Sequence, residues 1–525
     1  MTEQNEFYAP ERVLVIVAHA DDIEFGMAGT VARWTEAGTQ VTYCIVTDNS
    51  SGSNDPETAL NRAIYDYLIE VAPDSSIVPN LATDWTISDD GLTYTFTLAE
   101  GVTFHDGSPF TSADVVYTYN RLKELESSAL ALLGDFEISA PDEQTVVFTI
   151  PEANADFLYG VASRFALILK DGTESPNTIG EGDDPYASFN GTGPFLLESF
   201  DPNVGGRAVF VKNDNYWKEG QPLLDGMEHV YFSGEAVTAF DAVTTGEVDF
   251  IYKVPTSLVA DGVAEGLSVI EQPTSQHGVI RLRTDVGPGT DPLVRQAFKY
   301  ATDRQQLNDI LLLGRGTIGN NDPIAPAYGV YYADDIETQT YDPEEARRLL
   351  EEAGYPDGLE MTLYVPTAFE YVEMATLLQQ QWMQAGINVT IDQRDAGLYY
   401  DTSNDINYCN VELGITGWGD RPVPQLFLLE AYVTSAIAED CIGGFNETRL
   451  SNPELDALVE EAGVTTDTEA RADIYRQIAE IFNEEGPIIV PYFANMIGVA
   501  SNRVQNLTMA PFPGLTDYRN VSLAS

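Results

Sequence analysis

Four histidines, three cysteines and a few tight groups of carboxylates are the side chains of this sequence best suited to chemistry. His19, Asp21 and Asp22 stand together directly after RVLVIV, a short run with the pattern of a buried strand. HADDIEFG then enters a helical stretch, Met27 to Glu36, that ends at Gly38, and a second strand, VTYCIVT, follows. Polar residues just past the carboxyl end of a strand in an open α/β sheet are well placed for a site. The bland alternative is a solvated turn. His105, His229 and His277 are isolated from one another, and His105-Asp106-Gly107 reads as a turn between strand and helix. Cys44, Cys409 and Cys441 show no CxxC and no zinc-ligand spacing. Cys409 and Cys441 fall in one segment, either a disulfide in an exported protein or two free thiols. No GxxxxGK[ST] run occurs, so ATP hydrolysis belongs elsewhere.

The chain that must position these groups has 525 residues, too many for one small domain and enough for two or three lobes. Hydrophobic residues at 44% and aromatics at 10% mark a folded protein rather than an acidic disordered one. Acidic residues number 83 against 26 basic, and the net charge of −57 excludes general affinity for nucleic acid phosphates or anionic lipids. Lysine stands only at Lys123, Lys170, Lys212, Lys218, Lys253 and Lys299, a skew that reads as adaptation to salt. No apolar run is long enough to span a membrane. The opening MTEQNEFYAPER has neither the basic nor the apolar region of a secretion signal.

From about Asn61 the texture changes to short alternating strands and well-capped helices. Leu92, Tyr94, Phe96 and Leu98 alternate as a strand with one buried face. Thr111 with Asp114 predicts a capping box for a helix whose Val115, Tyr119 and Leu122 share a face. Asp291-Pro292, Asp342-Pro343 and Asn452-Pro453 each pair an N-cap with a proline at the first helical position, and Gly354 with Pro356 supplies a stop. Ala470, Ile474, Ile478, Ile481 and Phe482 repeat at helical spacing before Gly486-Pro487 and the apolar strand IIVPYF, which is expected to return to the first lobe.

AHADDIEFGMAGT followed by TDNSSGSNDPE resembles the opening of the PIG-L/LmbE zinc-dependent N-acetylglucosaminyl deacetylases, over about residues 1–57. The resemblance implies His19 and Asp22 as zinc ligands and Asp21 as the base, with Ala20 where the family has proline. Catalytic zinc usually takes three protein ligands, and the third is missing here. The metal site is therefore incomplete, and zinc is implied under this alternative alone.

The stretch IVPNLATDWTISDDGLTYTFTLAEGVTFHDGSPFTSADVVYTYNRL resembles the family 5 solute-binding proteins of peptide, dipeptide and nickel ABC importers. NGTGPFLLESF, NDNYWKEGQPLLDGMEHVYF, TAFDAVTTGEVDFI, DPLVRQAFKYATDRQQLNDILLLGRG, YDPEEARRLLEEAGYPDG and NPELDALVEEA continue it in order, over about 61–525. The resemblance implies an α/β fold of the periplasmic-binding-protein type II kind, with two main lobes and an extra subdomain joined by a two-segment hinge, preceded by a short α/β fragment. Lobe 1 is expected from 61–275 and 488–525, with a subdomain at about 85–185, and lobe 2 from about 277–487. The crossings are expected near Gln272–Gly278 and Gly486–Pro491. RVLVIV is a candidate for the first-lobe strand that the N-terminal segment displaces.

The same resemblance implies a monomeric binding protein without enzymatic activity or cofactor, which passes a peptide or similar small solute to permease and ATPase subunits and acts outside the cytoplasm. A chain made as written stays in the cytoplasm, and a non-productive chimera is a further alternative. GITGWGDRPVPQLFLLEAY falls where the family carries an acidic residue for the ligand's amine, which makes Trp418, Asp420 and Arg421 the ligand-binding candidates. Two arrangements stay open. Either Asp420 takes an amine beside the indole wall, or Asp420 is neutralised internally and Arg421 meets a ligand carboxylate. Tyr331-Tyr332 and Tyr399-Tyr400 either line the cleft or pack in cores.

Overall fold

The computed structural model describes residues 12–17, 40–45, 56–73, 75–180, 184–203, 206–232, 236–403, 406–438, 444–510 and 515–524. Its largest sheet has seven strands. They run in the order Thr317–Ile318, Tyr492–Phe493, His277–Leu282, Leu413–Trp418, Leu359–Pro366 and Ile387–Arg394, and Ile488–Ile489 also pairs with His277–Leu282. Every residue of His277–Leu282 is buried, because helices cover both faces of the sheet. Ile280 and Leu282 enter one core with Phe298, Leu378 and Trp382, while Val279 enters the opposite core with Phe427, Tyr475 and Phe482. Leu359–Pro366 and Ile387–Arg394 are parallel, and the helix Tyr371–Gln384 between them supplies the crossover that parallel pairing requires.

The helix starts follow the sequence signals. Asp342 accepts from Glu344 N and Glu345 N, Asn452 from Glu454 N and Leu455 N, and Asp291 from Leu293 N, each with proline in the first turn. Thr111 and Asp114 close a full capping box on Ser112–Glu124. That helix packs on a four-stranded antiparallel sheet, Ala82–Ile87, Thr93–Leu98, Thr145–Thr149 and Glu137–Asp142, around Phe96, Tyr119, Phe136 and Phe148. Phe195–Phe200, Arg207–Lys212 and Gly226–Val230 form a further antiparallel sheet.

A three-stranded sheet marks where the chain changes lobes. Its middle strand, Met496–Ala500, pairs with Phe250–Ile251 on one side and Ser268–Gln272 on the other. The chain leaves this sheet after Gln272 and enters the seven-stranded sheet at His277, within the expected first crossing. The second crossing differs from expectation. Ile488–Ile489 and Tyr492–Phe493 pair within the large sheet, so the return lies at Ala494–Asn495 rather than Gly486–Pro491. Ile489 and Tyr492 enter one core of the large sheet and Ile488, Val490 and Phe493 the other, so IIVPYF is covered on both faces there. Pro491 lacks an N–H and divides the run into two short pairings.

At the amino end Arg12–Val17 pairs in parallel with Gln40–Ile45, from Arg12↔Gln40 to Val17↔Ile45. Among the described strands these two form a sheet of their own, so RVLVIV does not fill a place in the first-lobe sheets. His19, Asp21 and Asp22 lie outside the described residues. The helix Pro56–Ile64 already belongs to the body: Leu60, Ala63 and Ile64 are buried with Phe195 and Phe210. Gly193 N donates to Ile64 O at 2.8 Å, an approach that a side chain at position 193 would block.

Candidate functional site

The strand Leu413–Trp418 runs antiparallel to His277–Leu282 and ends at the first crossing, where His277 pairs with Trp418. Gly419, Asp420 and Arg421 follow before the helix Pro424–Ala431. One oxygen of Asp420 accepts from Ser275 N at 2.7 Å and from Ser275 Oγ at 2.8 Å. Ser275 Oγ in turn accepts from Arg421 N at 2.9 Å, so the crossing segment and the Asp420 turn are clamped together. The second Asp420 oxygen has no partner among the described residues.

Burial raises the Asp420 pKa above the ordinary aspartate value, against the pull of the Ser275 hydrogen bonds and of Arg421 and Arg164. Arg164 and Tyr252 come from the first lobe. Tyr252 is pushed up by burial and by the charges of Tyr518 and Asp420, and its hydroxyl donates to Ala510 O at 2.8 Å. Groups from both lobes therefore surround the Asp420 carboxylate.

Arg421 is committed to its own lobe. Its Nε and Nη2 donate to Glu430 Oε2 at 3.2 and 3.0 Å, and its guanidinium lies 5.7 Å from the Trp418 ring and 5.6 Å from the Phe427 ring. Its carbonyl accepts from Tyr328 Oη at 2.8 Å. Trp418 stands edge to face with Phe427 at 5.9 Å and Phe445 at 6.2 Å, half-buried. The arrangement thus offers a carboxylate oxygen beside an indole, with Arg421 holding the turn.

The described histidines, Tyr399 and Tyr331 are engaged in packing or main-chain contacts. His277 is buried between Phe427 and Phe493, its Nδ1 donating to Ser275 O at 2.7 Å, and burial lowers its pKa to about 4. His229 packs on Phe210 and Tyr518, also lowered by burial to about 4. His105 Nε2 meets Gly193 O at 3.1 Å. Among the described residues no group of three or more His, Cys, Asp or Glu is arranged to hold a metal ion. Tyr399 is buried with Tyr408, Cys409 and Val411, and Tyr331 meets Tyr475 edge to face at 5.2 Å. Cys409 is disulfide-bonded, and Cys441 lies outside the described residues. No described helix is long and apolar enough to cross a membrane.

Ser275, Tyr328, Arg164 and Tyr252 were not singled out by sequence, since each reaches the turn from a remote segment. The signal that pointed nearest to one of them is the first crossing, which contains Ser275.

Residues 76–440 match the family model of bacterial extracellular solute-binding proteins, family 5 Middle, and residues 14–71 match that of GlcNAc-PI de-N-acetylase. Heme-binding protein A of Haemophilus influenzae is 28% identical over 500 residues, covering 89% of this chain and 88% of its own length. The dipeptide-binding protein of Escherichia coli is 25% identical over 533 residues, covering 95% and 97%. Among solved structures, HbpA2 from Haemophilus parasuis superposes with a TM-score of 0.76 at 25% identity, covering 90% of this chain and 96% of that one. DppA from Helicobacter pylori, in complex with the peptide STSA, shares the fold at a TM-score of 0.70 and 23% identity, covering 90% and 96%.

Proposed function

Because this chain belongs to the bacterial extracellular solute-binding proteins of family 5, we propose that it captures a peptide or similar small amine-bearing solute between its lobes for an ABC importer. The observation that carries the reading is Asp420, anchored through one oxygen by Ser275 at the crossing and open at the other. A carboxylate in a partly dry cleft gains most from an ammonium partner, since a charge-assisted hydrogen bond then repays its desolvation. Trp418 supplies a flat apolar wall beside it. Two crossing segments let the lobes close over a ligand with few changed backbone angles. Curated relatives named for heme, dipeptides and glutathione show how widely the solute varies within the family.

A capture protein of this kind acts outside the cytoplasm as a monomer, without enzymatic activity or cofactor, alongside permease and ATPase subunits. The disulfide at Cys409 supports an oxidising compartment. Calorimetric titration with short peptides tests the reading, and binding that survives both Trp418→Ala and Asp420→Ala unweakened would remove this site.

The match at residues 14–71 favours a second reading, zinc-dependent deacetylation at His19, Asp21 and Asp22. Against it, the three described histidines are committed to packing or to main-chain carbonyls, so none supplies the third ligand. Stoichiometric zinc that is lost in His19→Ala would reinstate it.

A further inference from the structure

Asparagine followed two residues on by serine or threonine, with no proline between, is the acceptor signal for N-linked glycans in chains that leave the cytoplasm. Six such triplets occur here, at Asn49, Asn190, Asn388, Asn446, Asn506 and Asn520. A glycan fits the folded protein only where the side-chain amide nitrogen faces water and has no structural duty. That requirement separates the five triplets within the described residues, and Asn49 lies outside them.

Three have their polar groups committed. Asn446 is 1% exposed, its Nδ2 donates to Val433 O at 3.0 Å and Leu450 O at 2.9 Å, and its Oδ1 accepts from Thr448 Oγ1 at 2.9 Å. The Asn190 triplet ends on Thr192, which is fully buried and donates to Asp66 Oδ2 at 3.2 Å. Asn388 is exposed on the edge strand Ile387–Arg394, yet its Nδ2, the atom a sugar would take, donates to Glu360 Oε1 at 3.0 Å on the paired strand.

Asn506 and Asn520 are open, and they stand together. Val504–Gln505 and Ser522–Leu523 form an antiparallel ribbon with Gln505 opposite Ser522. Asn506 leaves one strand at the end where Asn520 approaches the other, so both mark the same end of the ribbon. Both asparagines are exposed, whereas the middle residues of their triplets turn inward, Leu507 half-buried and Val521 buried. Asn506 has φ 60°, a left-handed conformation in which asparagine is enriched, and its side chain makes no hydrogen bond among the described residues. Thr508, the hydroxyl of that triplet, is exposed. Asn520 uses only its Oδ1, which accepts from Gln221 Nε2 at 2.8 Å, and a sugar on Nδ2 leaves that bond in place. The ribbon also lies away from the crossings. Met496–Ala500 starts opposite Gln272 at the second crossing and ends opposite Ser268, and Asn502 Nδ2 then donates to Gly266 O before the ribbon begins.

We infer that Asn506 and Asn520 are N-glycosylation sites, which give this end of the first lobe a covalent sugar coat. The inference rests on the extracytoplasmic location in the reading above and is independent of which solute is captured. In the transfer, Asn Nδ2 attacks the anomeric carbon of an oligosaccharide carried on a polyprenyl phosphate or diphosphate. The C–N bond forms, the C–O bond to phosphate breaks, the lipid phosphate leaves, and the amide proton passes to a base of the transferase.

Arg503 and Arg519 place the two acceptors in separate tryptic peptides, 504–519 and 520–525. Tandem mass spectrometry on the full chain recovered from outside the cells that make it should find both peptides heavier by hexose or N-acetylhexosamine units, with the peptide carrying Asn446 at its bare mass. Thr508→Ala should return peptide 504–519 to its bare mass although Asn506 is unchanged, and Thr508→Ser should keep the glycan. A sugar that persists in Thr508→Ala is chemical glycation and overturns the site. Bare masses on both peptides of protein recovered outside the cell overturn the inference and leave solute capture standing. A chain that stays inside the cell overturns the location and the glycosylation together, and titration of the purified protein with peptides then judges capture separately.

Discussion

Ser275 spends both its donors on a single oxygen of Asp420, which fixes the carboxylate and leaves the other oxygen for a ligand. Ser275→Ala removes the hydroxyl but keeps the N–H, so affinity for an amine-bearing ligand should fall by about 3- to 10-fold by titration, the scale of one modest hydrogen bond. An unchanged affinity would mean that Asp420 is not held for binding. The raised pKa of Asp420 sets a pH dependence with a definite sign. An ammonium ligand prefers the ionised form, so affinity is fully present above the raised pKa and is lost as pH falls through it. The loss should therefore begin above the usual aspartate value of about 4, and Asp420→Asn should remove this dependence. An affinity that stays flat down to pH 4 would contradict the assignment. The WGD block was reached through the resemblance to the family, which carries an acidic residue for the ligand's amine there. Its partner was not, since Ser275 lies 145 residues away and an isolated serine has no pattern. Arg421 donates to Glu430, nine residues on, and nothing in the sequence marks that pair either.

Helices and strands were read from local rules, and these succeeded wherever the deciding neighbour is close in sequence. Caps at Asp291, Asp342 and Asn452 need only the next three residues, and Tyr94, Phe96 and Leu98 are buried as their alternation requires. Local rules cannot say which sheet a strand joins. They send IIVPYF to the first lobe and offer RVLVIV for a first-lobe strand, whereas IIVPYF pairs in the large sheet and RVLVIV with Gln40–Ile45, because pairing is settled by more than the local pattern. The seam at the amino end can be tested at this scale. A Cβ at Gly191 would overlap the carbonyl oxygen of Ile64, so Gly191→Ala should destabilise the protein by about 2 kcal/mol or more in denaturant unfolding. A neutral result would show that the helix Pro56–Ile64 is not docked in the body, although the deacetylase-like match runs through it to residue 71.

Across the whole molecule the lobes are joined by more than their two crossings. Asp156 of the first lobe and Arg471 of the helix Thr468–Glu484 form a two-pronged ion pair at 2.9 and 2.5 Å, with side chains 3% and 2% exposed. Ala155 N donates to Gly463 O at 2.9 Å beside it, and Leu132 packs on Val423 and Leu426. Burial opposes the charge of Arg471, yet its bonds to Asp156 raise its pKa above the ordinary arginine value. Asp156→Asn leaves a buried cation unpaired at a cost of about 3–5 kcal/mol, which parting the lobes would relieve. The variant should show a larger radius of gyration by small-angle scattering and faster ligand release, and no change in either would rule out a latch. Salt acts on the opposite population of charges. At a net charge of −57 the exposed carboxylates repel one another, and the Debye length falls from about 10 Å at 0.1 M to about 3 Å at 1 M. Buried pairs such as Asp156–Arg471 are screened far less, so added salt removes repulsion while leaving the latch intact. The thermal midpoint should therefore rise with potassium chloride, most steeply below about 1 M, where screening changes most. A midpoint that stays level from low to multimolar salt would show that the acidic surface is not an adaptation to brine.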